Sequence, residues 1–331
     1  MSGQSAKAKR KPLLIGGAAL AVVVVGGWLV ASHIATKTAK DKVDTFLIRN
    51  NLTGVVSYGG ISASPFGSAT LSHVLVRDSS GAAVAKFGSV EISDLRVKDG
   101  AVLGAKVSLA SAAIPLLPMA RQNPGDATLA GLVGLGYTTL TGNLSVAEHF
   151  NAERGRFSLN IRSDIDGMGR LKLRLKLNDI DPGMMDVVAK MAQAGAQGNG
   201  LAILGTGLAG LQSLESTSLD KLTVTIDDSK LVHRLRKIPV TAIPAKAGPS
   251  MELAPGLNVD QLVRAGMSLS DARNTADAVR HWSRNGGTIH MRTHIASPLP
   301  LFKSTGVFGG AGLAFSNVDT FLAATRATIS N

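Results

Sequence analysis

The chain has 331 residues, 45% hydrophobic and 18% charged, with 4% aromatics, no cysteine and a net charge of +12. That length holds one large domain or two ordinary ones, and the apolar content supports a packed core rather than a disordered chain. The missing cysteine excludes disulfides, thiolate metal sites, iron–sulfur clusters and cysteine nucleophiles, and the few flat rings leave little for stacking on bases or sugars. Lys7, Lys9, Arg10 and Lys11 supply four of the positive charges. The rest are scattered along the chain with no dense run, so no nucleic-acid partner is expected. A basic balance instead suits anionic lipid headgroups or acidic polymers.

Residues 1–12 read as a basic cytoplasmic tail. Residues 13–34 read as a transmembrane signal-anchor: about 20 uncharged, mostly apolar residues, which at 1.5 Å per residue cross the ~30 Å hydrocarbon core. The upstream charge is all positive, so the N-terminus stays cytoplasmic and the body lies across the membrane. A cleaved signal peptide is the alternative, with Val30 and Ser32 as a weak cleavage pattern, but its apolar region usually runs only 7–15 residues. Residues 35–52 read as a juxtamembrane amphipathic helix with Val43, Phe46 and Leu47 on one stripe.

The body alternates apolar and polar residues, the mark of strands with one apolar face. It divides into a first β-rich half, 53–120, and a second, 121–331, with helical insertions, separated at the proline-bearing stretch "IPLLPMARQNPGD". In the first half "ATLSHVLVRD", "AKFGSVEISDLRV" and "AKVSLASAAI" are strands with less regular patterns. In the second, "TTLTGNLSV" puts Leu140, Leu144 and Val146 on one side. "RFSLNIR" and "RLKLRLKL" form a hairpin around Gly167 and Gly169. Leu159 and Ile161 line one side of its first strand, and Leu171, Leu173, Leu175 and Leu177 one side of its second. "DKLTVTIDD" and "TIHMRTHIA" add Leu222, Val224, Ile226, Ile289, Met291 and Ile295. Helices are expected at "GDATLAGLVGL", at "DPGMMDVVAKMAQAG", at "NVDQLVRAG" from Asn258, and at "SLSDARNTADAVRHWSRNGG" with Ser270 as the cap. "IPVTAIPAKAGPSMELAPG" reads as a loop or irregular edge. The fold class is α+β and β-rich, an extended, mostly antiparallel curved sheet with a few packed helices.

Several motifs dissolve on inspection. "GTGLAG", with Asp227 downstream, matches a dinucleotide fingerprint by letters, but no strand–turn–helix context surrounds it. His290 and His294 sit on a strand pattern, where they lie ~13 Å apart and cannot share a metal. The acidic pairs Asp164/Asp166 and Asp227/Asp228 fall at strand ends, where aspartate makes turns. Ser145, His149 and Asp164 form a triad only on paper, without a G-x-S-x-G elbow. No motif calls for an enzyme, a cofactor or a metal.

The order of elements carries a resemblance: an anchor, then "VVSYGGISASPFGSATLSHVLVRDSSGAAVAKFGSVEISDLRV", "GYTTLTGNLSVAEHFNAERGRFSLNIRSDIDGMGRLKLRLKLNDI", "LDKLTVTIDDSKLVHRLRKI" and "GGTIHMRTHIASPLPL". This resembles the YdgA-like proteins, anchored in the inner membrane of Gram-negative bacteria with a periplasmic body, and more distantly the AsmA-like proteins. The first resemblance implies an extended β-rich periplasmic body without an agreed activity. The second implies curved sheets with an apolar groove used in envelope lipid handling, although this chain is short for a conduit between bilayers.

Two candidate surfaces follow. Leu171, Leu173, Leu175, Leu177, Leu159 and Ile161 are candidate lipid-binding residues, since a leucine-lined trough holds an acyl chain by apolar burial alone. Lys172, Arg174 and Lys176, on the opposite parity, are candidates for anionic headgroup contact. The expected partners are the membrane and phospholipid, with a second copy or an envelope protein as a further option. The alternative is a structural or adaptor protein whose leucines are core, and a hydrolase is a minor one.

Overall fold

The computed structural model describes residues 36–49, 52–64, 68–78, 81–98, 101–181, 216–228, 230–237, 257–305, 310–313 and 317–331. Elements are numbered along these residues. Helix α1 (Thr36–Arg49) leads into strands β1 (Val56–Ser57), β2 (Gly60–Ser64), β3 (Ser68–Arg77), β4 (Ala83–Lys98) and β5 (Ala101–Pro115). Short helices α2 (Leu116–Gln122) and α3 (Ala127–Gly134) precede β6 (Thr139–Asn151), β7 (Arg156–Ile165), β8 (Gly169–Asn178) and β9 (Ser218–Asp228). Then come α4 (Leu231–Lys237), α5 (Val259–Arg264), α6 (Leu269–Asn285), β10 (Gly287–Arg292), β11 (Leu299–Pro300), β12 (Phe302–Thr305), β13 (Gly310–Leu313), α7 (Val318–Ala324) and β14 (Thr328–Ser330).

Twelve of these strands form one sheet in the order β1-β3-β4-β5-β6-β7-β8-β9-β10-β14, with β2 also on β3 and β11 also on β9. All its pairings are antiparallel, as expected where neighbouring strands are joined by tight turns. β12 and β13 make a separate ribbon. The sheet runs through the boundary at residue 120, because β5 pairs with β6 from Gly104–His149 to Pro115–Thr139.

One face of the sheet is mostly apolar. Its buried residues on β3 are Ala69 and Leu71, then Val74 and Val76, so the inward parity changes at His73, whose φ is 53°. On β4 the change falls at Gly88, between Phe87 and Val90, and on β5 at Ser111, whose φ is 51°. The pairings of β3 with β4 and β4 with β5 put these three positions side by side. A Cβ on Gly88 would lie 2.9 Å from that of Ser111, so only glycine fits between its neighbours. This shared parity change is why the first three strand patterns looked irregular: a strict period of two breaks there in each, and a second time in β4 near Asp94, whose φ is 54°.

Helices cover the face at both sides. At one side Val43 and Leu47 of α1 join β1 and β3–β5 in a buried cluster centred on Val74, Val90 and Ile92. Lys40, one turn earlier in α1, and Tyr58 both hydrogen-bond the Asp44 carboxylate at 2.6 Å each, and the Tyr58 bond ties α1 to the start of the sheet. At the other side Leu262 of α5, Ala272 of α6 and Leu322 of α7 pack with Met291 and Ile329. A third cluster, with Leu116, Leu129, Leu135 and Tyr137, closes the strand ends where β5 passes to β6.

Several expectations change. The "IPLLPMARQNPGD" stretch is not a bare separator: Leu116–Gln122 is helical, with Pro115 before its first turn, where a missing N–H costs nothing. The cap of α6 is Ser268, whose hydroxyl accepts from the Asp271 N–H, and not Ser270, which lies inside the helix. Strand β10 stops at Arg292, because the Thr293 side chain turns to the Leu222 backbone, so Ile295 does not continue the face. Among the described residues no helix is long and apolar enough to cross a membrane. The anchor at 13–34, the helix begun at Asp181, the "GTGLAG" motif and the proline-rich stretch 238–256 lie outside the described residues.

Candidate functional site

The middle of the apolar face is built by β6–β9. Leu173 lies opposite Ile161 on one neighbour and Val224 on the other, and the same row continues to Val146 and Val107. The next row is Leu109, Leu144, Ser163, Leu171 and Ile226, and on the other side Ala105, Glu148, Leu159, Leu175 and Leu222. A fourth holds Phe150, Phe157, Leu177 and Leu219. Paired residues on antiparallel strands point to the same side, so all six proposed lipid-binding residues share one surface.

That surface is neither open nor closed. Leu159, Ile161, Leu171, Leu173, Leu175, Leu177, Leu222, Val224 and Ile226 are half-buried, whereas Ile92, Leu262 and Leu322 in the flanking clusters are at most 2% exposed. Among the described residues, no buried cluster contains a residue of β7, β8 or β9, although Phe150 and Leu219, at one end of the surface, are 2% and 1% exposed. The helix-covered sides therefore bound a shallow apolar trough. Over four strands spaced ~4.8 Å apart and the run from Leu171 to Leu177 it measures roughly 15 by 20 Å. One end is fixed by Tyr137, whose hydroxyl donates to the Gly167 carbonyl at 2.6 Å in the β7–β8 turn. The Arg234 guanidinium stacks 4.2 Å over the same ring, a cation–π contact that links α4 to this turn. Burial raises the Tyr137 pKa, which keeps the phenol protonated and donating.

The opposite face is basic. Lys172, Arg174 and Lys176 are all exposed there. Lys172 pairs with Arg162, Lys176 with Lys221, and Arg174 with Thr223, which in turn pairs with Arg292. The charges that looked scattered along the chain are thus gathered by strand pairing into a patch of six cations on β7–β10. Asp164 and Asp227 lie at one end of that face beside Arg170, which binds Asp227 through Nε at 3.0 Å, and Asp220 is exposed at the register shift next to Lys221. The two candidate surfaces lie on opposite sides of the sheet, so one bound molecule cannot touch both.

The remaining motifs have structural occupations. Asp166 accepts the Thr141 hydroxyl at 2.6 Å, and Asp228 accepts the Val232 N–H at 3.1 Å at the start of α4. Ser145 and His149 share a strand face four residues apart, facing Arg162 and Ser158, while Asp164 faces Asn143; the paper triad is not assembled. His290 meets Thr225, and His294, beyond the end of the strand, meets Thr328. Among the described residues no three His, Asp or Glu side chains gather as a metal site.

Sequence reading passed over Glu148. It occupies an inward position in the Ala105–Leu159 row, where desolvation raises its carboxyl pKa. The signal was present in "LSVAEHF", where the period from Leu144 and Val146 lands on Glu148. The chain matches no protein-family model and no curated protein sequence.

Proposed function

We propose that the protein is a non-catalytic, membrane-anchored component of the bacterial cell envelope that holds lipid acyl chains on the trough of its curved sheet. The basic N-terminal tail and the apolar run at 13–34 support a single pass through the inner membrane with the body in the periplasm. The observation that carries the lipid reading is the half-burial of Leu159, Leu171, Leu173, Leu175, Leu177 and Leu222 between two sides where the same face is fully packed. A monomer seldom leaves so much contiguous apolar surface without a use. At ~25 cal/mol per Å², covering such a surface with an acyl chain is favourable without any polar motif. The basic patch on the other side supports contact with anionic headgroups through Arg162, Lys172, Arg174, Lys176, Lys221 and Arg292.

The test is lipid analysis of the purified full chain beside its Leu173→Asp variant. The reading expects phospholipid to co-purify with the wild type in excess of what the variant retains, because the membrane-embedded segment is common to both. Equal lipid content in two folded proteins contradicts it. A second reading, a structural adaptor with no small ligand, draws on the same helices: α1 and α5–α7 already cover parts of this face as ordinary core.

A further inference from the structure

The register leaves one charge on the trough. Glu148 stands between Ala105 on β5 and Leu159 on β7, and the row runs on to Leu175 and Leu222. Its side chain is exposed, and among the described residues it has no hydrogen-bond or ion-pair partner. The pairing of β5–β9 puts no lysine or arginine on this face: Lys106, Arg162, Lys172, Arg174, Lys176 and Lys221 all project to the other side. A carboxylate on an apolar surface without a counter-ion is disfavoured relative to one in open water, and removal from water raises its pKa. A ligand that covered the leucines would exclude water further and sharpen that penalty, unless it brought a cation of its own. An anionic headgroup would add repulsion, and the trough has nothing to offset it.

Resting on the reading that the trough holds acyl chains, we infer that its occupant is an ammonium-bearing phospholipid, whose amine pairs with Glu148 while its chains lie along Leu159, Leu173 and Leu175. The two faces then differ in lipid chemistry: the basic patch favours anionic headgroups, and the trough selects an amine.

The test uses the full chain in detergent, labelled with a photoactivatable diacylglycerol that carries no charged headgroup, with residue-resolved mapping of the cross-links. Unlabelled phosphatidylethanolamine and phosphatidylglycerol with the same acyl chains compete. Phosphatidylethanolamine is expected to suppress labelling at Leu159, Leu173 and Leu175 at about fivefold lower concentration, the factor a partly exposed ion pair supplies. Glu148→Gln, which keeps the shape and removes the charge, is expected to bring the two competitors within about twofold while the diacylglycerol labelling persists. Labelling that both lipids suppress equally in the wild type, or a preference that survives Glu148→Gln, overturns the inference and leaves the lipid reading standing. No labelling of the trough at all overturns both.

Discussion

Leu173 on β8 lies directly opposite Ile161 on β7, and both are half-buried on a face whose two sides are sealed by helices. The difference between this pair and the sealed sides has a measurable consequence. Leu173→Asp is expected to destabilise by about 1–2 kcal/mol, since its carboxylate keeps contact with water, while Leu322→Asp in the α7 cluster is expected to cost about 4 kcal/mol or more. Urea unfolding of the two variants measures both. Equal, large losses would make the leucine face ordinary core.

The basic patch predicts a salt-sensitive membrane contact. At about 1 kcal/mol per cation near an anionic surface, replacing Lys172, Arg174 and Lys176 by Gln is expected to weaken binding to phosphatidylglycerol vesicles by roughly a hundredfold. Raising the salt weakens the wild type in the same direction as screening tightens. Vesicle co-sedimentation of the wild type and the triple variant reads the change. Exposed positions such as these leave the unfolding midpoint within about 0.5 kcal/mol of the wild type.

The junction of α1 with the sheet predicts acid sensitivity. The Lys40 ammonium and then the Tyr58 hydroxyl hold the Asp44 carboxyl below the ordinary carboxylate range, against a smaller opposing effect of burial. The folded pKa is depressed, so this stabilisation is present above the unfolded pKa and is lost as the pH falls through the folded value. Asp44→Asn is therefore expected to destabilise at about pH 6 and to become nearly neutral at about pH 2. Unfolding of the pair at both pH values checks the sign, and a constant difference would contradict it.

Helix α3 begins at Asp126, whose carboxylate accepts the Thr128 and Leu129 N–H groups at 3.0 and 3.1 Å. Asp126→Ala is expected to cost about 1 kcal/mol, the usual loss for such a cap. The effect is read by thermal unfolding, and Asp126→Asn is expected to restore most of it.

How far the sequence disclosed this molecule depended on whether neighbouring residues carried the information. The hairpin of β7 and β8 was legible because its alternation is unbroken and glycines mark the turn; Gly167 indeed has a φ of 73°. The strands β3–β5 were legible as strands but not as a face, because the parity change at His73, Gly88 and Ser111 is a property of three strands side by side. Helix α7 and strand β14 were missed: seven and three residues give too few periods to separate from loop. The leucine row was visible, but its half-burial was not, since exposure depends on what α1 and α5–α7 cover. The basic face of Lys172, Arg174 and Lys176 was legible on one strand, but its extension was hidden for the same reason: Arg162, Lys221 and Arg292 join it only through pairing. Glu148 was readable from its own strand, yet its meaning needed the register that sets it between Ala105 and Leu159.

The most direct test of the central claim is residue-resolved cross-linking of the full chain in its membrane with a phospholipid that carries a photoactivatable group on its acyl chain. The account predicts adducts at Leu159, Ile161, Leu171, Leu173, Leu175 or Leu177, in addition to those within residues 13–34. Adducts confined to residues 13–34, in a protein whose sheet is folded, would contradict it.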